Sequence, residues 1–470
     1  MSATDLGRES GFSVADYRQA VSAAGAAGEL WGWVFLAIFS LAIAGVFALF
    51  VAFSRVPGID SLVPWPSNFF HKGLVIHVVF SFVVWFLATF AALATLACFH
   101  IADGRAIRLA WAGRAGLIIV ALSFPLLFAP AFMGHTEASL SNYIPAIDHP
   151  LYELGVGFLL VGVLLPVIRL AANLGQRRAP LDVLGFATVA GGFIYAVALF
   201  AMAFAWWRDS ATPGTSYEDI FWGGGHMLQF LNTLLMLAGW SALAWLALKV
   251  DIFGRGLYRT ALVLLVLSVL PTFYFYAGFE AFSSRQNAAF TTLQYALAPP
   301  VLLMVIGAIR GWARHGRALG RLPWNDPGFL CLVLSPLVFG IGGLLGLMVD
   351  GTDTRTPAHY HGVIAGVNLA FMGLFLAFFL PVLRRGTISG RIMRAQILLY
   401  SVGQVLSCIG LFWAGGYGAP RKTADAAVTL VDGAVIGMYL NGVGALVAVI
   451  GGVMFIWTVI AALMRAPQDA

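Results

Sequence analysis

The chain has 470 residues, 60% of them hydrophobic and 10% charged, with a mean hydropathy of +0.88. That composition excludes a soluble domain and defines a polytopic membrane protein. The formal net charge of +6 does not indicate a nucleic-acid partner, because the basic residues sort by loop.

Residues 1–28 are small, polar and partly acidic, without a signal-peptide pattern, and read as a short cytoplasmic lead. Residues 29–470 read as a single all-α membrane domain of twelve transmembrane helices. The apolar segments fall near 30–53, 69–99, 112–133, 151–172, 183–206, 220–248, 258–279, 290–310, 327–349, 355–383, 394–415 and 433–464. The tails and loops of one side hold most of the 27 Lys and Arg, Arg169 among them. The other side holds Arg55, Lys72, Arg208, Arg285, Arg355, Arg421 and Lys422. The positive-inside rule then predicts that both termini are cytoplasmic. Cys98, Cys331 and Cys408 are scattered and no C-x-x-C-H occurs, so neither a disulfide framework nor covalently attached haem is expected.

Segment 1 carries no chemistry. Segment 2 begins Phe69-Phe-His-Lys-Gly-Leu-Val-Ile-His. His71 and Lys72 fall at the interface, where polar groups cost little. His77 falls roughly 12 Å deep at about 1.5 Å per residue. The loop Gly134–Pro150 reads as an ordered external lid with His135 and His149 as loop residues. Trp206 and Trp207 read as interface anchors. Segment 6 opens Phe221-Trp-Gly-Gly-Gly-His, which sets His226 roughly 9 Å deep beside glycines that admit a large neighbour. Segment 7 ends in an aromatic run through Phe275 and Tyr276, without histidine. The stretch Arg310–Trp324 reads as the most basic cytoplasmic loop.

Segment 10 carries Ala358-His-Tyr-His. Successive helical residues turn by about 100°, so His359 and His361 point to nearly opposite sides and can serve two separate metal centres. The deep histidines therefore sit on segments 2, 6 and 10, all in one external-side layer. Ionisable groups at that depth are functional candidates by default, and neutral imidazoles in a dry bundle suit haem iron. His77 with His361 would give a six-coordinate, low-spin haem. His359 would hold a second haem, with His226 facing its far side. Arg421 and Lys422 are placed to meet haem carboxylates.

These features resemble the haem-bearing main subunit of the haem–copper oxidase superfamily, which includes cytochrome c oxidases and nitric oxide reductases. The resemblance runs across all twelve segments. It is most specific in Leu322-Pro-Trp-Asn-Asp-Pro, Ala358-His-Tyr-His, Trp413-Ala-Gly with Ala419-Pro-Arg-Lys, and Phe221-Trp-Gly-Gly-Gly-His. It implies a twelve-helix subunit I-like bundle in the cell inner (plasma) membrane. It implies low-spin haem ligation by His77 and His361, high-spin haem ligation by His359, and propionate binding by Arg421 and Lys422. Gly73-Leu-Val-Ile-His matches the family's approach to its segment 2 ligand, which favours His77 over His71. The haem type is not legible; haem b is the default.

The resemblance also implies a second metal, copper or non-haem iron, on one histidine of segment 6 and an adjacent pair on segment 7. His226 is present, but the pair falls at Phe275-Tyr276, and Phe230 stands where oxidases carry tyrosine and nitric oxide reductases glutamate. One imidazole is a poor copper site, so the second-metal site is expected to be degenerate. The cytoplasmic half lacks deep Asp, Glu or Lys, which argues against proton pumping and points to external proton entry near Glu153, Asp219 or Glu280.

Three readings follow. The first is an oxidoreductase passing electrons to oxygen or nitric oxide at the His359 haem, with His226 beside it. The second is a copper-less two-haem protein that transfers electrons or binds a gas without oxidase turnover. The third, a cofactor-free transporter, explains the spans but not the histidine layer. The resemblance implies a second redox subunit on the external face, with cytochrome c, a cupredoxin or quinol as electron donor.

Overall fold

A computed structural model describes residues 12–53, 69–140, 145–178, 180–209, 216–349, 351, 353–386, 390–421 and 430–468. Among the described residues, 12 helices are long and apolar enough to cross a membrane. They are Ala27–Phe50, Phe69–Ala102, Ala110–Phe132, Pro150–Gln176, Val183–Asp209, Tyr217–Leu248, Arg255–Gly278, Ser284–Leu319, Pro327–Gly346, Arg355–Val382, Gly390–Gly416 and Asp432–Met464, here spans 1 to 12. In a bilayer every backbone polar group must be satisfied internally, and a continuous apolar helix does so. The all-α, twelve-span fold expected from the sequence is the one observed.

Spans 2, 8 and 10 change helix type within their length. Span 2 widens to a π-helix at Val79–Val84, and span 10 does so at Phe375–Phe379. Span 8 is broken by a 3-10 turn, Gln294–Leu297, between helices Ser284–Leu293 and Ala298–Leu319. Its second helix continues well past residue 310, so Arg310, Arg314 and Arg317 ride on a helix and not on the loop expected there.

The chain divides into two compact units. The first comprises Met1–Ser241 and Val250–Gly320; the second comprises Ala242–Lys249 and Arg321–Ala470. In the first unit, spans 3 and 4 approach through Gly116 and Gly162, where an added Cβ would strike the facing backbone. Lipid tails are as apolar as leucine, so helices associate by close packing and small residues mark the contact. A short helix, Val14–Ala23, capped by Ser13 (Oγ accepting from Asp16 N at 3.2 Å), packs against span 2. The hairpin of β1 (Glu137–Ser139) and β2 (Ala146–Asp148) joins spans 3 and 4.

In the second unit, spans 11 and 12 interlock along glycines seven residues apart. Gly403 and Gly410 meet Gly444 and Gly437, and Gly451 meets the backbone of Gln396 and Tyr400. A seven-residue repeat keeps one seam in contact as two helices wind around each other. Spans 9 and 10 pack in the same way through Gly342 and Gly362, and Ser335 Oγ donates to the Gly366 carbonyl at 2.6 Å.

Candidate functional site

His77 lies about two turns into span 2. Its Nδ1 sits 2.9 Å from the Ala44 carbonyl of span 1. A carbonyl can only accept, so Nδ1 carries the hydrogen and Nε2 keeps its lone pair. The ring is half-buried, and the π-helical stretch begins two residues later. π-helical turns in α-helices occur frequently at functional sites.

His226 is fully buried in span 6, with Nδ1 2.6 Å from the Trp222 carbonyl one turn back. It too is fixed with Nε2 unprotonated. Aromatic rings close around it: Trp222 at 4.9 Å and Phe290 of span 8 at 5.9 Å between centroids. Phe290 also meets Phe275 at 5.1 Å and Tyr276 at 5.5 Å. Phe290 is thus in ring contact with His226 and with both residues where the resemblance calls for a histidine pair. The Tyr276 hydroxyl lies where a Cβ on Gly223 would stand, which is the local reason for glycine there. Among the described residues no group of three or more His, Cys, Asp and Glu could hold a metal ion. One imidazole among rings does not fit copper, which takes several N or S ligands. Glu280 is exposed, with its backbone carbonyl accepting from Ser283.

The second unit holds His359, His361 and Arg421. His359 Nδ1 donates to the Gly342 carbonyl of span 9 at 2.8 Å. A Cβ on Gly346, one turn along span 9, would overlap the His359 ring. Two glycines of one span therefore fix this imidazole, one by a hydrogen bond and one by leaving space. His361 is half-buried, with the Tyr360 ring 5.3 Å from its own.

Arg421 is positioned by a clip at the start of span 10. Asp353 accepts from Arg355 Nη2 at 2.7 Å, from Nε at 2.9 Å and from the Arg355 backbone N–H at 2.8 Å. Thr354 N donates to the Ala419 carbonyl at 3.0 Å, Thr354 Oγ1 to the Leu411 carbonyl at 2.7 Å, and Asp353 bridges to Pro420. The residues just before Arg421 are thereby tied to the helix that bears both histidines. Lys422 lies outside the described residues.

Sequence reasoning missed three polar clusters. Lys72, read as interfacial, is fully buried: its ammonium donates to the Met133 carbonyl at 2.7 Å and to Thr136 at 3.3 Å. Arg169, read as part of a basic loop, is 1% exposed and pairs with Glu29 beside Thr95. The signal was available, since Arg169 stands inside an apolar run. The third is Tyr17, His100 and Asp182. Tyr17 stacks on His100 at 4.3 Å and donates to Asp182 at 3.1 Å, which also accepts from Gly185 N at 2.7 Å. Burial raises the Asp182 carboxyl above the usual range against the opposing pull of that amide, and burial followed by Asp182 raises the Tyr17 hydroxyl. Of the acids read as external proton entries, Glu153 contacts the Tyr217 hydroxyl, as does Asp148, and Asp219 accepts from Asn287 at 3.3 Å.

The imidazoles of His77 and His359, tethered at Nδ1 to backbone carbonyls of neighbouring spans, present Nε2 as a donor that fits haem iron. The tether sets tautomer and ring angle and raises basicity. Fold and site define a multi-pass α-helical membrane protein with preset imidazoles on spans 2, 6 and 10. The family model "Cytochrome C and Quinol oxidase polypeptide I" matches residues 30–454, and the chain belongs to that family. It is 30% identical over 346 residues to an uncharacterized protein of Aquifex aeolicus (strain VF5), covering 73% of this chain and 82% of that one. It is 24% identical over 494 residues to the uncharacterized protein RP382 of Rickettsia prowazekii (strain Madrid E), covering 90% and 94%. It is also 29% identical over 198 residues to a cytochrome c oxidase subunit 1 of Thermus thermophilus, covering 39% and 35%. The chain is an oxidase-like, multi-pass inner-membrane subunit of a family that carries haem.

Proposed function

We propose that residues 29–470 act as one haem-binding domain of a membrane oxidoreductase that moves electrons from a low-spin to a high-spin haem, with oxygen or nitric oxide at the latter. The haem supplies the electron-carrying and gas-binding iron. His77 and His361 would hold the low-spin haem, His359 would hold the high-spin haem, and Arg421 with Lys422 would bind propionates. The carrying observation is the shared tether: His77 and His359 each spend Nδ1–H on a carbonyl of a neighbouring span and present Nε2. Electrons come from a second redox subunit on the external face, itself fed by cytochrome c, a cupredoxin or quinol. Protons come from the external side. Both termini are cytoplasmic.

The rings around His226 favour a second reading, in which the two haems transfer electrons or bind gas without copper-dependent turnover. The test is the purified protein's visible and paramagnetic-resonance spectrum, with iron and copper counted and turnover measured with oxygen and with nitric oxide. H77A and H361A should each abolish the low-spin signal, and H359A the high-spin one. A preparation without haem would end both readings. Haem with a gas-binding signal but no turnover selects the second.

A further inference from the structure

We infer that the helical end of span 8 is a binding site for the headgroup of an anionic phospholipid. The helix Ala298–Leu319 buries one narrow face, Pro300, Met304, Gly307 and Gly311. Gly307 and Gly311 press on the backbone carbonyls of Phe253 and Ile252, so close that neither tolerates a Cβ. This contact pins the end of the helix against the connection between spans 6 and 7 and fixes which residues face outward.

Arg310, Arg314 and Arg317 stand at i, i+4 and i+7, all exposed. At about 100° per residue they share one stripe of the helix, about 10 Å long at 1.5 Å per residue. The helix Ala298–Leu319 contains no Asp or Glu. Among the described residues these three guanidiniums make no hydrogen bond or ion pair with the protein. Three other arginines of this chain are instead engaged internally. Arg105 caps the Ala102 and Ile101 carbonyls, Arg108 the Ala172 carbonyl, and Arg259 reaches Leu181 and stacks on Phe186. Orientation by positive charge alone requires no such stripe and would be met equally by scattered cations.

The depth is right for a headgroup. Leu302, Val305, Ile306 and Ile309 are exposed just before the stripe, where acyl chains would lie, and Trp312 is exposed within it. Tryptophan favours the headgroup level, and that layer is about 5–7 Å thick on each side of the hydrocarbon. The stripe begins as the apolar face ends and crosses the layer. Guanidinium forks take phosphate oxygens in pairs, and three of them over this length match a headgroup carrying two phosphates better than one.

The test is native mass spectrometry of the whole protein released from nanodiscs of phosphatidylcholine containing either phosphatidylglycerol or diphosphatidylglycerol. Wild type should retain anionic lipid, diphosphatidylglycerol more tightly. R310Q/R314Q/R317Q should lose about a hundred-fold in affinity, at about 1 kcal/mol per basic residue. The triple lysine variant, which keeps charge but loses the fork, should fall between. R465Q, an exposed cation elsewhere, should match wild type. An unchanged helical circular-dichroism spectrum shows that the glutamine variant is folded, and a variant that fails this check is replaced by the three single substitutions. Equal retention by wild type and glutamine variants overturns the proposal. So does displacement of the lipid by inorganic phosphate, which would make the stripe a free-anion site.

Discussion

Arg169 of span 4 grips Glu29 of span 1 with two parallel hydrogen bonds, Nη1 to Oε2 at 3.0 Å and Nη2 to Oε1 at 2.6 Å. Thr95 of span 2 receives a third bond from Nη2 at 3.2 Å, and Gly113 of span 3 packs directly on the pair. Four spans thus meet on one ion pair. Removing one partner leaves a buried charge without compensation, which costs about 3–5 kcal/mol. R169M should therefore lower the unfolding midpoint in detergent sharply. The double variant E29L/R169M should recover most of that loss, because an apolar pair of similar volume removes the stranded charge. Equal stability of R169M and wild type would show that the pair is solvated.

The space beside His359 gives a second prediction. G346A puts a methyl group into the imidazole, so the ring must turn or the spans must part. The high-spin haem signal should weaken or shift while the low-spin signal stays. G343A, whose Cβ meets nothing within 4 Å, should change neither. Identical spectra for G346A and G343A would remove Gly346 from the set that fixes the ligand.

Metal content follows from the rings around His226. Protein prepared with excess copper should carry haem iron and only trace copper by elemental analysis. H226L should leave both unchanged. Stoichiometric copper that disappears in H226L would show a complete copper site and reverse the assignment.

The Tyr17–His100–Asp182 cluster predicts a pH dependence. Burial raises the Asp182 carboxyl in the folded protein above its unfolded value of about 3.9. The folded state therefore binds the proton more tightly. This contribution is fully present below about pH 3.9 and is lost as pH rises through the raised value. The stability difference between wild type and D182N should fall with rising pH across that interval. A difference that is flat with pH would mean that Asp182 titrates alike in both states.

Most of the fold was legible because a bilayer admits few spanning structures and long apolar runs announce them. The histidine-bearing spans were legible because His77, His226, His359 and His361 interrupt those runs. Their tethers were not. Ala44 and Gly342 act through backbone carbonyls, which any residue type supplies, so no side-chain pattern marks them. The Asp353–Arg355 clip was hidden because a cation before a span reads as loop charge until its partner is seen. Lys72 and Arg169 were misplaced for the converse reason. Residues near helix ends are assumed to reach water, and at these two positions the end is covered. The length of span 8 was underread because its last turns are amphipathic and drop below the hydropathy of a membrane segment.

The widened turns at Val79–Val84 and Phe375–Phe379 each take one more residue per hydrogen-bonded ring than an α-turn. Each acts as a phase slip: the half of span 2 after His77, and the half of span 10 after His361, are rotated about 100° from where an unbroken helix would carry them. The ligand-bearing halves and the far halves can therefore change independently, because a residue gained or lost at the slip re-aims one half without moving an imidazole. A helical wheel drawn through the whole of either span will assign the far-half positions to the wrong packing neighbours.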